Sequence, residues 1–405
     1  MATQMSSNIT QPAMAVFSEA INKEIPILDS TSSSGQSVVG RKGGKIELVL
    51  PDPGKTVITR GEMRDLTGVT LGQKEWSKKF EISTANNSVE ADIIEQTTDI
   101  DSFDTEVVQP RCASVGDGVG SDVVQLGFAS SDSALEVAIA DLSYDVLSDI
   151  AGYLGEFNLG ELHGYMSSII RSKIAKKGMS QFNSSSVTDP LYKYAEIGEY
   201  SNVIWKKSKM PLITIASANV LPNGSVSAVD FADDNAAKIT VADAGITTGT
   251  TIKKGTTFRI AGIYVKDGLG NDTMVPKTFI VQATAVGIAG SVTLDVGPCL
   301  VDGAHANVSR LPIVGDATVT AVGASAGTYS VIWAFERGNL IYDGVDLRLG
   351  GFQTVRGASI NNKVKLTAIV DGNGLNTTAL YRFDAAYIAG ARDSRRSSLV
   401  YVKMA

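Results

Sequence analysis

The chain has 405 residues, of which 43% are hydrophobic and 20% charged, and its formal net charge at pH 7 is −7. That apolar content supports a sizeable core, and the length fits two or three domains. The acidic balance argues against a dedicated nucleic-acid-binding protein, which would carry a basic domain or stripe. With only two histidines and two cysteines, we expect no multi-histidine metal centre, no disulfide framework and no cofactor.

The sequence also argues against export and membrane insertion. Residues 1–10 contain no Lys or Arg and no continuous apolar region, so we expect no signal peptide. The longest apolar runs, such as residues 331–335, are far shorter than the roughly 20 residues that span a bilayer. We therefore expect no association with a membrane.

Residues 1–34 are predicted to form an N-terminal arm. Pro12 is a suitable first residue of a helix, and Phe17 and Ile21 share one face of it before Pro26 ends it. A short amphipathic helix is marginal alone in water. Phe17 and Ile21 are therefore candidate contacts with another subunit or with the body of the protein.

Residues 30–35 are predicted to be a flexible joint, and residues 35–95 an extended loop with flanking strands. Apolar residues alternate near residues 46–50, and Pro-Asp-Pro-Gly at residues 51–54 predicts a turn. Charged residues of this loop are candidate intersubunit contacts, although such residues are usually only solvated. They are Lys42, Lys45, Arg60, Glu62, Arg64 and Asp65.

A helix is predicted from Ser133 onward. Ser133 and Glu136 have the spacing of a capping box, in which the serine accepts from an early amide and the glutamate reaches back. Apolar residues follow at spacings of three and four as far as Ile150, which gives the helix one apolar face. We expect this face to pack against the body of the protein.

A strand and a second helix are predicted next. Residues 152–157 have a strand composition, and residues 158–161 resemble another helix cap. From Leu162 to Ile174 an apolar residue occurs every four positions, which predicts a helix. Basic residues lie toward its carboxyl end, where the helix dipole favours cations. They are Arg171, Lys173, Lys176 and Lys177.

The helical pattern ends after Pro211, and residues 213–333 are predicted to form a small antiparallel β-barrel. Strand-like segments separated by turns recur at residues 238–241, 257–265, 278–286 and 291–296. Phe279, Val281, Ala283 and Ala285 are predicted to share one face, and Val292, Leu294 and Val296 another. A turn at residues 287–290 would join these two strands as a hairpin. Later strands, near residues 328–335, 364–370, 380–388 and 399–402, return to the first domain, which makes the β-rich region an insertion.

Ser325 is the best match to a catalytic motif. Residues 323–327 have the Gly-x-Ser-x-Gly form of a nucleophile elbow. An elbow leads into a helix and needs a later histidine, whereas residues 328–335 are strand-like and no histidine follows Ser325. The motif therefore predicts a hairpin turn, and we expect the protein not to be an enzyme.

The remaining candidate sites have ordinary explanations. The glycine-rich residues 116–120 lack the Lys-Ser/Thr ending of a phosphate-binding loop and predict a plain loop. The acidic clusters at residues 99–106 and 267–272 lack the ligand pattern of a calcium loop. His163 has no second imidazole four positions away. Three arginines have the chemistry to meet phosphate or the carboxylates of a neighbour, and they are Arg392, Arg395 and Arg396.

Several segments, in their order and spacing, resemble the major coat proteins of short-tailed bacteriophages of the Salmonella-infecting type, which have the tailed-phage capsid fold with an inserted β-barrel. These segments are residues 152–165, 197–204, 209–212, 252–262, 331–334 and 380–389. The resemblance covers most of residues 150–402. Two features depart from it: Thr256 stands where the family has Asp, and residues 98–130 contain Pro110 and many glycines where the family has a long spine helix.

The resemblance implies an α+β capsid subunit that assembles into an icosahedral head around double-stranded DNA. The implied parts are an arm (1–34), an extended loop with flanking strands (35–95), the first part of the peripheral and axial shell core (96–212), the inserted barrel (213–333) and the C-terminal part of the core (334–405). Implied partners are further copies of the chain, a scaffolding protein, a portal protein and packaged DNA bound without sequence preference. The implied location is the virion, after assembly in the bacterial cytoplasm.

Two alternatives stay open at this point. A β-rich phage tail protein or bacterial surface adhesin would also contain many Gly, Thr and Val residues, but the predicted helices and the absence of a signal peptide argue against it. A hydrolase using Ser325 is the second alternative. Only a coat protein would form closed shells.

Overall fold

The computed structural model describes the chain in segments. They are residues 26–33, 45–49, 77–81, 83–92, 109–128, 131–157, 160–181, 197–233, 236–267, 271–298, 300, 306–345, 353–359, 364–373 and 378–404. Within them the α-helices are α1 (Gln109–Phe128), α2 (Tyr144–Gly155) and α3 (Ser168–Gln181). The strands are β1 (Lys45–Val49), β2 (Ser77–Glu81), β3 (Ser83–Asp92), β4 (Ser133–Ala138), β5 (Leu162–Met166), β6 (Gly198–Tyr200), β7 (Val203–Lys207), β8 (Ile213–Ile215), β9 (Ser225–Asp233), β10 (Ala236–Ala242), β11 (Thr251–Ile252), β12 (Thr257–Lys266), β13 (Asp272–Val281), β14 (Ala285–Val286), β15 (Ser291–Gly297), β16 (Thr318–Thr320), β17 (Gly327–Glu336), β18 (Leu340–Val345), β19 (Gln353–Ser359), β20 (Val364–Asn373), β21 (Thr378–Ala391) and β22 (Ser397–Lys403). This mixture confirms the predicted α+β class.

The chain divides into two compact units. Unit 1 comprises Met1–Ile46, Phe80–Leu126 and Leu340–Gly390, and unit 2 comprises Glu47–Lys79, Gly127–Asn339 and Ala391–Ala405. Strands β1 and β2 pair as a two-stranded ribbon within the predicted extended loop. The residues between these strands, and the predicted arm helix around Phe17 and Ile21, lie outside the described residues.

A five-stranded sheet, formed by β3 and β18–β21, makes up much of unit 1. β21 pairs antiparallel with both β20 and β3, and its register with β3 runs from Thr378 opposite Asp92 to Tyr387 opposite Ser83. The Tyr387 hydroxyl donates a 2.7 Å hydrogen bond to Asp122 on α1. Burial and this neighbouring carboxylate raise the pKa of Tyr387, so the phenol stays protonated and holds the helix against the sheet.

Helix α1 corrects the prediction that residues 116–120 form a loop. Glycines and β-branched residues disfavour an isolated helix, at up to about 1 kcal/mol per glycine. Here one face of the helix is buried at spacings of three and four, and that packing outweighs the weak propensity. The face consists of Cys112, Val115, Val119 and Val123. Pro110 lies in the first turn, where the missing amide costs nothing.

The predicted flexible joint at residues 30–35 is wrong where the structure describes it. Pro26–Ser30 forms a short 3-10 helix. The Ser32 amide donates to the carbonyl of Leu340 at 2.8 Å, and the Tyr342 amide donates to the carbonyl of Ser32 at 3.0 Å. Ser32 is thus hydrogen-bonded to β18, and residues 34–35 lie outside the described residues.

A seven-stranded sheet forms one layer of unit 2. Its order is β4-β22-β17-β5-β7-β6, with β8 also paired to β17. Helices α2 and α3 contribute to a single core with one face of this sheet, because alternate residues of each strand point toward the same side. The core includes Leu147, Ile150, Leu154, Ile170, Ile174, Val203, Trp205, Ile332, Ala334, Val400 and Val402.

The helix predicted from Ser133 is wrong, since this segment is strand β4 and the helix starts only at Tyr144. β4 pairs in parallel with β22, from Ser133 opposite Ser398 to Ala138 opposite Lys403. A neighbouring strand that supplies backbone partners outweighs a capping-box pattern. The residues of β4 also alternate in burial after Ala134, with period two.

The elements predicted for residues 152–174 are also corrected. The predicted strand at 152–157 begins as the last turn of α2, which runs to Gly155. The predicted helix divides into β5 and α3. All five residues of β5 are buried, because β5 lies between β17 and β7. A strand buried on both faces shows no alternation in its sequence, so the four-residue spacing was misleading.

The second layer of unit 2 is a six-stranded β-barrel with the order β16-β12-β13-β15-β10-β9. A bridge between Ser225 and Ala317 joins the first strand to the last and closes the sheet, which confirms the predicted barrel. Val292, Leu294 and Val296 face its core, as predicted.

One detail of the barrel differs from the prediction. β13 ends at Val281, so Ala283 is exposed and Ala285 belongs to β14, which pairs with β11. β15 pairs along its length with β10 and touches β13 only near Val281. The two predicted strands are therefore antiparallel neighbours, as predicted, but they pair only at Ile280 and Val281, opposite Gly297 and Val296, and residues 287–290 join β14 to β15.

Candidate functional site

The barrel leaves and rejoins the seven-stranded sheet at one place. β8 precedes the barrel in the chain and β17 follows it, and the two strands pair antiparallel with Ile215 opposite Gly327. An inserted domain whose ends are hydrogen-bonded neighbours can be added to a parent fold without disturbing it. The barrel also contacts the sheet away from this exit, and the residues that connect the two there, which we call the junction, form the candidate functional site.

An ion pair between Asp132 and Lys277 joins the barrel to the sheet at the junction. Asp132 precedes β4 of the sheet and Lys277 lies in β13 of the barrel, and both side chains are 0% exposed. The amide of Thr278 also donates to the carbonyl of Asp132 at 3.1 Å. A fully buried charge is tolerated only when it is paired, so each residue depends on the other.

Arg259 adds a second connection between barrel and sheet. Its Nη2 atom donates to the carbonyl oxygen of Ala134 in β4 at 2.7 Å. Its Nε atom donates to Oγ1 of Thr278 at 3.4 Å. Burial lowers the pKa of Arg259, although a guanidinium stays charged. Arg259 therefore links β12 of the barrel to β4 of the sheet while also bonding to the neighbouring barrel strand β13.

Arg395 connects the end of the chain to the same junction. It makes a two-pronged ion pair with Asp393, at 3.1 Å from Nε to Oδ1 and 2.9 Å from Nη2 to Oδ2. Its Nη1 atom donates to the carbonyl oxygen of Asp267, which follows β12 of the barrel, at 3.2 Å. Burial opposes the charge of Arg395, but Asp393 and Asp132 outweigh burial and raise its pKa.

Tyr153 is a further ionisable residue of the junction. Burial raises the pKa of its hydroxyl well above the ordinary value, and the carboxylates of Asp132 and Asp393 raise it further, against the effect of Arg395. The junction thus contains two acids, Lys277, Arg395 and a neutral phenol. This arrangement orients two layers of the protein, and its charged groups are paired rather than poised for catalysis.

The structure describes some of the predicted contact residues and not others. Arg395 and Arg396 make ion pairs within their own chain, Arg396 with Glu336 at 2.5 Å, and the Arg392 amide donates to the Asn339 carbonyl at 2.8 Å. Lys45 lies in β1, where only the backbone is described. The other predicted contacts lie outside the described residues, and they are Phe17, Ile21, Lys42, Arg60, Glu62, Arg64 and Asp65. The intersubunit role of all these residues stays a prediction.

Ser325 lies in a turn rather than a nucleophile elbow. Strand β17 begins two residues after it, at Gly327, where an elbow requires a helix. Its Oγ accepts a hydrogen bond from the Lys403 ammonium at 2.8 Å, on an exposed surface.

The other sequence candidates have structural roles. Oδ1 of Asp267 accepts from the Asn271 amide at 2.8 Å, which closes a turn. No group of three or more potential metal ligands occurs in the described segments. His163 is buried in β5, with Nε2 at 3.2 Å from Oε1 of Glu161. None of the helices in these segments is both long and apolar enough to cross a membrane.

Sequence reasoning missed the junction, although one signal was present. Lys277 lies on the same face of its strand as Phe279 and Val281, which were predicted to face the barrel core. A lysine on a buried face of a strand needs a buried partner. That partner, Asp132, lies 145 positions away in sequence, and nothing local identifies it.

Comparison with known proteins gives weak structural likenesses to phage heads. The solved structures to which the chain is similar include Mycobacterium phage Che8 (TM-score 0.45, 6% identity, 92% of this chain and 89% of that chain). They also include the capsid of cyanophage P-SCSP1u, with a TM-score of 0.42 and 10% identity over 93% of this chain and 86% of that chain. A third is the head of Helicobacter pylori bacteriophage KHP40, with a TM-score of 0.45 and 6% identity over 94% of this chain and 91% of that chain. No family model and no curated protein matches the chain. At these values the likeness does not by itself assign a family.

Proposed function

We propose that the chain is the major capsid protein of a tailed bacteriophage and that many copies assemble into the icosahedral head around double-stranded DNA. Helix α1 is the observation that carries the proposal. The resemblance to coat proteins implies a long spine helix before the axial domain, and the composition of residues 98–130 argued against one. The structure nevertheless has a helix of 20 residues at this position.

Two further features support the proposal. The β1–β2 ribbon precedes α1 in the chain, as the extended loop precedes the spine helix in the coat proteins. The barrel enters and leaves beside β17, as expected for an inserted domain in a shell subunit. In this account the seven-stranded sheet belongs to the axial domain, and the junction around Asp132 and Lys277 fixes the inserted barrel to it.

The finer assignments belong to the same proposal. The relationship to short-tailed phages of the Salmonella-infecting type, the five-part division at residues 34, 95, 212 and 333, the scaffolding and portal partners and assembly in the host cytoplasm rest on the sequence resemblance. The mechanism is geometric, since weak contacts repeated around a closed shell give high avidity.

Assembly of the purified chain tests the proposal. The full chain would be expressed in bacteria and analysed by sedimentation velocity and negative-stain electron microscopy, alone and co-expressed with a phage scaffolding protein. We expect closed shells of uniform diameter. A species that remains monomeric or forms only fibres under both conditions would contradict the proposal.

A further inference from the structure

Helix α3 presents a basic face in an acidic protein. The helix contains four cationic residues and no acidic residue, whereas the whole chain has a net charge of −7. Three of these cations, Lys173, Lys176 and Lys177, are exposed, whereas Ile170 and Ile174 on the adjoining face are buried in the core of unit 2. Residues three and four apart lie on one side of a helix, so the lysines form a single patch, which we call the α3 basic face.

The helix alone does not explain this patch. Like charges three or four residues apart destabilise a helix. The favourable effect of the helix dipole is confined to the last turn, and α3 has no basic residue there. Lys177 donates from Nζ to the carbonyl oxygen of Ala140 at 2.6 Å. For Lys173 and Lys176, the part of the chain that the structure describes provides no ion pair or hydrogen bond.

We propose that the α3 basic face binds the phosphate backbone of double-stranded DNA, an inference that rests on the capsid function proposed above. Lysines are strongly hydrated point charges suited to phosphate contacts without base readout. The exposed residues beside them are the small polar Ser168 and Ser172 and one apolar residue, Ile169, which is 57% exposed. Among the described residues of α3, Ile169 is thus the one large apolar side chain exposed beside the lysines, whereas an amphipathic peptide docks on a row of apolar residues. The charge and the polar surroundings therefore favour DNA over an acidic protein segment.

A binding assay with matched variants tests the inference. The full-length chain would be titrated against a fluorescent 30-base-pair duplex between 50 and 200 mM salt. The test variant is Lys173→Gln with Lys176→Gln, which leaves the Lys177 contact intact. The control is Lys253→Gln with Lys254→Gln, which removes the same charge from two exposed lysines of the barrel.

We expect the test variant to lose at least tenfold in affinity at 50 mM salt. The slope of log K against log salt should become shallower by about 2, because about one counterion is released for each phosphate contact. The control should bind within twofold of the wild type, and A·T-rich and G·C-rich duplexes should bind equally.

Three results would overturn the inference. They are equal losses in both variants, no loss in either, or a wild-type chain that binds poly-glutamate more tightly than DNA through the same two lysines. Electron microscopy of the variants separates this inference from the capsid function. Shells that form normally without lysine-dependent binding would reject only the DNA site, and lysine-dependent binding without shells would reject only the capsid.

Discussion

Gly127 lies directly against the indole ring of Trp333, so that a Cβ atom at position 127 would come within 1.9 Å of Cη2. Trp333 is 1% exposed and makes an edge-to-face contact with Phe128, with ring centroids 5.6 Å apart. The ring therefore has no room to retreat, since protein interiors are close-packed. A glycine at position 127 is what allows the backbone to reach the centre of β17.

Gly127→Ala should lower the free energy of unfolding by about 1–3 kcal/mol, the usual cost of overpacking a filled core. Gly152→Ala is the matched control, because the added methyl would meet no atom within 4 Å beyond its chain neighbours and the adjacent helix backbone, and the site is exposed on α2. The control should be neutral or stabilise by up to about 1 kcal/mol. Urea denaturation measures both, and equal stability of the two variants would contradict the packing argument.

The Asp132–Lys277 pair should show strong coupling. Lys277→Met leaves an uncompensated buried carboxylate and should destabilise by about 3–5 kcal/mol. Adding Asp132→Asn to the same chain removes that charge and should recover part of the loss. Lys238→Met, at an exposed position of β10, should change stability by less than about 1 kcal/mol. Additive effects in the double-mutant cycle would show that the two residues do not pair.

The free energy of unfolding should decrease at acidic pH because of His163. Burial lowers the pKa of His163, the positive charge of Lys206 lowers it further, and Glu161 opposes both. The unfolded chain therefore takes up a proton more readily than the folded chain. Stability should decrease as the pH falls below about 6.5, the ordinary histidine value.

His163→Gln should remove this part of the pH dependence between pH 7.5 and 5.5. Glu161, whose pKa is lowered by its hydrogen bond from Arg337, loses its contribution only at lower pH. Glu136, whose pKa burial raises, is present in both chains and cancels in the comparison. If the His163→Gln curve parallels that of the wild type, the assignment is wrong.

The segment of residues 213–333 should fold on its own, because its barrel is closed and its ends are neighbours. Val281 is fully buried, and Val281→Asp would place an unpaired carboxylate in the core at a cost of several kcal/mol, against a stability of about 5–15 kcal/mol for a typical domain. Val319→Asp is the matched control at a site that is 52% exposed. The isolated segment and the control should give dispersed amide spectra, and Val281→Asp should not. A wild-type segment that is disordered alone would reject the independent domain.

The parts of the fold that depend on local pattern were predictable. The barrel strands alternate in polarity and are separated by turns, so β10, β12 and β15 were found in nearly the right places. Residues 133–174 were misread because apolar residues spaced by four fit a helix as well as a strand, a turn and a helix in succession. Only the pairing of β4 with β22, 265 positions later at Ser398 opposite Ser133, decides between them.

The candidate site was harder to predict than the barrel strands, because its residues come from distant parts of the sequence. The position of Lys277 on the same strand face as Phe279 and Val281 indicated that it is buried. No sequence pattern identified Asp132 or Tyr153 as members of the same site. Helix α1 was hidden for a similar reason, because its glycines lower helix propensity and the packing that compensates for them comes from elsewhere in the fold. Propensity is a weak signal where tertiary contacts determine the structure.

Cryo-electron microscopy of the assembled full-length chain tests the capsid assignment most directly. We predict closed icosahedral particles in which the seven-stranded sheet of each subunit surrounds the five-fold and six-fold centres. The barrel should be attached to the sheet through Asp132 and Lys277. Open sheets, helical fibres or a soluble monomer as the sole product would contradict this account.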